Sequence, residues 1–338
     1  MPQQLSVAVL GFWHVHAAEY AQAAAEHPDT QVAAVWDDDA CRGRDAAREL
    51  GVPFVDDLDA LLARDDIDAV IVTTATNLHR DVMVKAANAR KHIFTEKLLA
   101  PTVSECHEIL DAVEANGVKL VVSLPRLHEA TTVTARRLVD DGKLGDLTYA
   151  RVRMAHDGWL AGWLPERFAD PVAATGGALA DLGCHPAYLT QLFLGYVPAT
   201  VSASYTSVTG RDVEDNAVVT ATYPNGAIGV FEASFVTTPG AGTLELRGTE
   251  GALLHGFGSD RLMVKGSHFD PENWQEVPLR EPEPAPFTQW VEHIRADTVA
   301  TDNLHAAVEL TRLIAAANDS AMSHATLPFA SASSAASA

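Results

Sequence analysis

The first 124 residues alternate short apolar runs with stretches of helical period, and this alternation constrains the fold more than any other feature of the chain. Leu5–Leu10 (LSVAVL), Gln31–Trp36 (QVAAVW), Ala69–Thr74 (AVIVTT), His92–Lys97 (HIFTEK) and Lys119–Ser123 (KLVVS) read as buried strands. Between them lie alanine-rich segments of helical spacing, such as NLHRDVMVKAANA and VSECHEILDAVEAN. Such a β-α-β-α order implies a parallel sheet covered on both faces. Right-handed crossovers then wind it in two directions from one strand, with ligands at the carboxyl ends of the strands.

Past Ser123 the pattern changes. A helical stretch (Glu129–Asp141) leads into a strand (Leu147–His156), an irregular loop bearing tryptophans, and a helix beginning near Gly176. Strands alternate from Thr200 to Val264, broken by turn signals at Pro224-Asn225-Gly226 and Gly248-Thr249-Glu250-Gly251. Two helical segments follow, near Phe287–Thr298 and Leu304–Ser323. The expected architecture is α/β: a doubly wound parallel sheet over residues 1–124, then an α+β domain over 125–329 with a mainly antiparallel, open sheet. The tail of small residues and serine from Ala330 to Ala338 is expected to be disordered. A length of 338 residues suits two domains.

Charge and cysteine usage exclude several functions. A formal net charge of -21 is the wrong sign for nucleic acid or anionic membrane surfaces, both of which need clustered cations. Three scattered cysteines (Cys41, Cys106, Cys184) without CxxC spacing fit neither a disulfide framework nor a thiolate zinc site, so a reducing cytoplasm is expected. There is no apolar run of membrane-spanning length. The start, MPQQLSVAVLG, lacks a cationic segment before its apolar run and reads as a strand, not a signal peptide.

Gly11 directly follows the first strand and precedes a helical stretch, where a chain turns sharply and can present helix N-terminal N–H groups to a pyrophosphate. Asp37 follows the second strand, about where a ribose-binding carboxylate is expected, and Asp38 and Asp39 add repulsion against a 2′-phosphate. NAD is therefore favoured over NADP. A gapless reading of the loop gives Gly11-Phe12-Trp13-His14-Val15-His16, with Trp13 and His16 at the second and third glycine positions of G-x-G-x-x-G. The expectation is that the loop turns Trp13 away from the phosphates. His14-x-His16 also invites a metal reading, but two histidines do not complete a catalytic zinc site, and no metal is expected.

Three further segments resemble the glucose–fructose oxidoreductase / inositol dehydrogenase / MocA family. Thr73–His79 (TTATNLH) is similar to that family's loop after the corresponding strand; Thr95-Glu96-Lys97-Leu98 resembles its Glu-Lys-Pro signature, with leucine for proline; Gly176–His185 (GGALADLGCH) resembles Gly-Gly-x-x-x-Asp-x-Gly-x-His. Weaker similarity extends the match to nearly the whole chain. Tyr188 stands where the family usually has an aspartate after the histidine. The resemblance implies an NAD-binding Rossmann domain, with Thr74, Asn77, His79, Glu96 and Lys97 joining Gly11, Phe12, Trp13, His14, Asp37 and Asp38 around the cofactor. It further implies Lys97 and His185 as acid–base groups with Asp181 as their partner, and an oligomer formed through an uncovered sheet face.

The chemistry is consistent with that assignment. Asp181 and His185, four residues apart in a helical pattern, should share one face. A histidine titrating near neutrality suits removal of a hydroxyl proton during hydride abstraction, and a carboxylate can orient it. Arg126 and His128 follow the last strand of the first domain, and Trp159 and Trp163 offer aromatic faces for sugar C–H surfaces, so these four join His185 as expected substrate contacts. The expected activity is hydride transfer between nicotinamide and a hydroxyl or keto carbon of a sugar, inositol or related polyol. Two alternatives stay open: a non-catalytic sensor of NAD or sugar, and glycoside cleavage assisted by NAD.

Overall fold

The computed structural model describes residues 4–329, so the tail from Ala330 lies outside the described residues. The chain forms two compact units: the chain up to Leu124 together with Pro284–Thr311, and Pro125–Glu283 with the residues from Arg312 onward.

In the first unit, β1 (Leu5–Leu10), β2 (Thr30–Trp36), β3 (Ala69–Val72), β4 (His92–Thr95) and β5 (Leu120–Val122) form a parallel sheet in the order β2-β1-β3-β4-β5. The connecting helices are α1 (Ala17–Glu26), α2 (Ala40–Leu50), α3 (Leu58–Leu62), α4 (His79–Asn88) and α5 (Val103–Asn116). The chain winds to one side from β1 into β2 and to the other into β3, so the crevice between the ends of β1 and β3 is where ligands of such sheets bind. Local chemistry fixes the helix ends. Asp39 accepts the N–H groups of Cys41 and Arg42 to start α2, and a Thr102–Glu105 capping box starts α5. Gly51 and Gly117 close these helices at φ 68° and 65°.

The domain boundary read from the sequence needs one correction: residues 284–311 belong with the first unit, not with 125–329. Helix α10 (Pro286–Ala296) presents Phe287 and Trp290, whose rings pack 5.4 and 5.8 Å from Phe94 of β4. In the first half of α11 (Thr301–Ser323), the Asn303 side chain bonds both the N–H and the C=O of Val122 at 2.8 Å. Helical period marks these helices as amphipathic but does not say which sheet takes their apolar faces.

The second unit contains α6 (Ala130–Asp140), β6 (Leu147–Ala155), α7 (Gly158–Ala161), α8 (Ala178–Asp181) and α9 (Cys184–Leu194). Its remaining strands are β7 (Thr200–Thr206), β8 (Asn216–Thr222), β9 (Ile228–Ser234), β10 (Ala241–Gly248), β11 (Gly251–His255), β12 (Leu262–Gly266), β13 (Gln275–Val277) and β14 (Leu327–Pro328). They form a nine-stranded sheet in the order β13-β12-β11-β10-β6-β9-β8-β7-β14. Only the central β6–β9 pair is parallel; the other pairs are antiparallel, as expected. Helix α9 lies so close over β9 that a Cβ on Gly229 would stand 2.6 Å from Thr190 Cγ2. Side chains that alternate with this face form a polar ladder, Arg151 and Arg153 meeting Glu232 at 2.7 and 3.6 Å. Among the described residues no helix is long and apolar enough to cross a membrane.

Candidate active site

The loop after β1 packs directly against the end of β3. Gly11 takes φ 91°, and a Cβ there would lie 2.8 Å from the Thr74 backbone. Thr73 Oγ1 donates to Gly11 O at 2.5 Å and His14 N–H to Thr73 O at 3.1 Å, which ties the loop to the end of β3. Trp13 is buried (6% exposed), so its ring is packed within protein. Thr74 Oγ1 is buried without a hydrogen-bond partner. A loop drawn tight against Thr74 by its glycine, with an unsatisfied buried hydroxyl beside it, stands at the sheet end where a dinucleotide's phosphates bind. Asn77 is exposed on the same loop. His79 is buried instead, its Nδ1 2.8 Å from Leu98 O, and burial holds its pKa below the usual histidine range against the pull of the Leu98 and Leu99 carbonyls.

Asp37 does more within the protein than the sequence indicates. Its Oδ2 accepts Phe12 N–H (2.7 Å) and Arg42 Nε–H (2.9 Å), and its Oδ1 accepts Asp39 N–H (2.8 Å) and Arg42 Nη2–H (2.5 Å). A carboxylate has about four acceptor positions, and all are taken. Asp38 shares Arg42 at 2.8 Å but keeps 39% of its side chain exposed. Burial, then the Asp37 charge, pushes its carboxyl up.

Lys97 follows β4 in a buried polar cluster, and the Lys97–Leu98 peptide is cis. Lys97 Nζ lies 3.2 Å from Glu96 Oε1 and 3.4 Å from His14 Nε2. Tyr20 donates its hydroxyl proton to Glu96 Oε2, and Ser123 Oγ lies 2.8 Å from the same hydroxyl. Burial opposes ionisation of Glu96, yet with His14 and Lys97 protonated their charges overcome it and hold its carboxyl at about 2. His14, His16 and Glu96 bring donor atoms within 4.8 Å of one another. Sequence spacing, which pointed to histidines alone, gives no sign that Glu96 joins them. A divalent ion there would have to compete with Lys97 Nζ, which already lies 3.2 Å from the same carboxylate.

In the second unit, the glycines of Gly176–His185 are steric necessities. A Cβ on Gly177 would meet Glu214 O at 2.0 Å, and one on Gly183 would meet Leu179 Cα at 2.8 Å. The buried Glu214 carboxylate accepts Gly177 N–H (3.0 Å) and Leu179 N–H (2.9 Å), which caps α8. This corrects one expectation: Asp181 and His185 do not share one continuous helix, because α8 ends at Asp181 and α9 starts at Cys184. His185 is 6% exposed, and its Nδ1 lies 2.9 Å from Tyr188 Oη. Tyr188 accepts the Arg126 N–H at 3.0 Å, so its own proton can go to His185 Nδ1. The tyrosine that departs from the family pattern is thus a partner of the histidine.

The other expected substrate contacts divide. Trp159 is buried, stacked edge-on against Phe235 (4.9 Å) with the Arg211 guanidinium 4.6 Å above its ring, and is a core residue. Trp163 is 53% exposed and keeps a face available. His128 Nδ1 pairs with Glu283 at 2.9 Å. Arg126 lines a cavity of about 360 Å³ with His156, Met154, Leu182, Leu189 and His255. Arg126 Nε and His255 Nδ1 are buried there without hydrogen-bond partners. His156 escapes sequence reasoning, which reads it only as the end of a strand. Its Nδ1 accepts Gly158 N–H (3.1 Å), which places its proton on Nε2, and its ring stacks on Phe235 at 5.0 Å. Burial pushes its pKa down against the Asp181 carboxylate.

Comparison with known proteins gives the family of both units. Residues 5–124 match the description "Oxidoreductase family, NAD-binding Rossmann fold", and residues 132–254 match "GFO/IDH/MocA C-terminal domain". The chain is 31% identical to a 1,5-anhydro-D-fructose reductase of Ensifer adhaerens over 232 residues, 66% of this chain and 68% of that protein. It is 28% identical to a scyllo-inositol 2-dehydrogenase (NAD(+)) of Bacillus subtilis over 284 residues, 80% of each. In fold it resembles a levoglucosan dehydrogenase solved with NADH and levoglucosan, with a TM-score of 0.83 at 20% identity, covering 97% of this chain and all of the other.

Proposed function

Because the chain belongs to the GFO/IDH/MocA family of NAD-binding oxidoreductases, we propose that it moves hydride between nicotinamide and a hydroxyl or keto carbon of a sugar, inositol or related polyol. The observation that supports this reading is the surroundings of two of the proposed acid–base residues: Lys97 Nζ lies 3.2 Å from the buried Glu96, and His185 Nδ1 lies 2.9 Å from Tyr188 Oη. When bound, NAD would supply the hydride acceptor or donor. The chain's own groups handle the proton. In oxidation the hydroxyl proton would pass to Lys97 as the C–H electron pair left as hydride, while His185, whose Nδ1 takes the Tyr188 proton, would donate its Nε2–H to the substrate oxygen, with Asp181 as the charged partner. Arg126 and His156 hold the substrate's remaining hydroxyls and the Trp163 face packs on its C–H surface, and the unsatisfied Arg126 Nε and His255 Nδ1 suit a hydroxylated ligand.

Asp38 reads the adenosine ribose in this proposal, and Asp37 holds the loop. The Gly11 loop, Thr74, Asn77 and the Glu96–Lys97 turn surround the rest of the cofactor. A non-catalytic sensor would have no use for the paired Tyr188 and His185, which favours an enzyme. The enzyme is further proposed to work in the cytoplasm as a homo-oligomer, with the sheet face bearing Arg153, Glu232 and Val218 buried between copies. NADH fluorescence titration followed by a sugar and polyol panel read at the NADH absorbance band tests the activity. Turnover of a polyol with NAD is the expected result, and tight NADH binding without turnover of any panel member would move the assignment to a sensor. Light scattering that returned a 36.1 kDa monomer would remove the oligomer.

A further inference from the structure

The first histidine of the loop after β1 bears directly on the lysine. His14 is 5% exposed, and its Nδ1 lies 3.3 Å from the His16 backbone N–H. An N–H aimed at Nδ1 requires a lone pair there, so the proton of the neutral ring sits on Nε2. Nε2 is the atom that faces Lys97 Nζ at 3.4 Å and Glu96 Oε1 at 3.8 Å. A ring N–H and an ammonium cannot both donate into one gap. Of the two nitrogens, the lysine is the one with a lone pair to offer.

We propose that His14 is a positioning residue that donates its Nε2–H to Lys97 and holds the lysine as the neutral amine, ready to take a substrate proton. Glu96 acts in the opposite sense. Once Lys97 is protonated, the carboxylate stabilises the ammonium across 3.2 Å. The step balances. The alcohol C–H leaves as hydride to the nicotinamide, the O–H proton goes to the Lys97 lone pair, and the O–H electron pair closes the carbonyl. The charged and titratable groups facing this pair within its unit are Glu96, His16, Tyr20 with Glu19 beyond it, and His79 on the far side of Glu96. The Tyr20 proton is committed to Glu96, and the His79 Nδ1 lies against the Leu98 carbonyl. The inference rests on Lys97 being a proton acceptor in the proposed reaction, but its test does not need a substrate.

The test is lysine ε-13C NMR on the full chain with NAD bound, with the Lys97 signal assigned by its loss in Lys97→Arg. The Lys97 signal is expected to titrate below the surface lysines. His14→Gln, whose amide oxygen accepts from an ammonium, should raise the midpoint by about one pH unit or more, a tenfold change in proton affinity. Glu96→Gln should lower it. In oxidation of any panel polyol, the acid limb of the rate should follow the same two directions. Lys97 titrating with the surface lysines, or both variants moving it the same way, would overturn the proposal. So would a His14→Gln variant that weakens NADH binding and leaves the midpoint unmoved, since His14 would then only shape the loop. If the midpoints move in opposite directions but no polyol is oxidised, the lysine assignment stands and the substrate reading falls.

Discussion

Tyr188 Oη stands 2.9 Å from His185 Nδ1 and accepts the Arg126 N–H at 3.0 Å, so one buried hydroxyl links His185 to the start of the second unit. Burial pushes the Tyr188 phenol well up, so it stays a proton donor throughout the working range. Tyr188→Phe removes the donor and leaves a buried N–H unsatisfied, at a cost of about 1–3 kcal/mol. We expect kcat to fall about tenfold or more with a smaller change in KM, measured on the first confirmed substrate. An unchanged kcat would reduce Tyr188 to packing.

Lys97→Ala and His185→Ala should each lower turnover by about a hundredfold, the scale of a general acid or base. NADH affinity should survive His185→Ala, since that residue is assigned to the substrate. Stopped-flow single turnovers would separate chemistry from release, and a His185→Ala enzyme near the wild-type rate would sink the mechanism.

Cofactor choice should separate the two neighbouring aspartates. Asp38→Asn is expected to narrow the NAD over NADP preference, because the half-exposed carboxylate repels a 2′-phosphate. Asp37→Asn should weaken both cofactors alike and lower the melting temperature, because Phe12, Asp39 and Arg42 all lose their charged acceptor. Calorimetric titration with both dinucleotides decides, and the reverse pattern would return the ribose to Asp37.

Acid stability should carry a Glu96 signature. Its folded pKa of about 2 lies below the usual carboxylate value, so ionised Glu96 stabilises the fold above the unfolded pKa. That contribution fades as pH falls from about 4.5 towards 2. The stability gap between wild type and Glu96→Gln, from urea unfolding, should therefore shrink between about pH 5 and the lowest pH at which both fold. A gap independent of pH would mean that the carboxylate acts only through packing.

Gly177→Ala should damage fold and activity together. The added Cβ would lie 2.0 Å from Glu214 O, so α8 must move or its cap must break. Overpacking of this kind costs about 1–3 kcal/mol. Scanning calorimetry should show a lower melting temperature, and an unshifted one would mean that the segment yields freely.

The strands of the first unit and the segment 176–185 are legible in the sequence because their determinants are local. Buried parallel strands need unbroken apolar runs, and Gly183 stands where the Leu179 backbone four residues earlier leaves no room for a side chain, although Gly177 owes its need for glycine to the distant Glu214. Periodicity also marks α10 and α11 as helices. It does not show that Phe287 and Trp290 cover Phe94, since an apolar face records that it is buried, not what buries it. The same limit applies to polar groups. The sequence offers Asp37 as a ribose ligand, but Arg42 and the Phe12 amide, 25 residues away in the chain, fill its acceptor positions. His156 is an unremarkable strand end until Gly158 fixes its tautomer and Phe235 stacks on its ring. His14 suggests a metal ligand until the fold brings it beside Lys97, 83 residues on. Residue type and spacing determine which chemistry the chain carries; hydrogen-bond partners distant in sequence, which only the tertiary structure brings together, decide which groups are free to perform it.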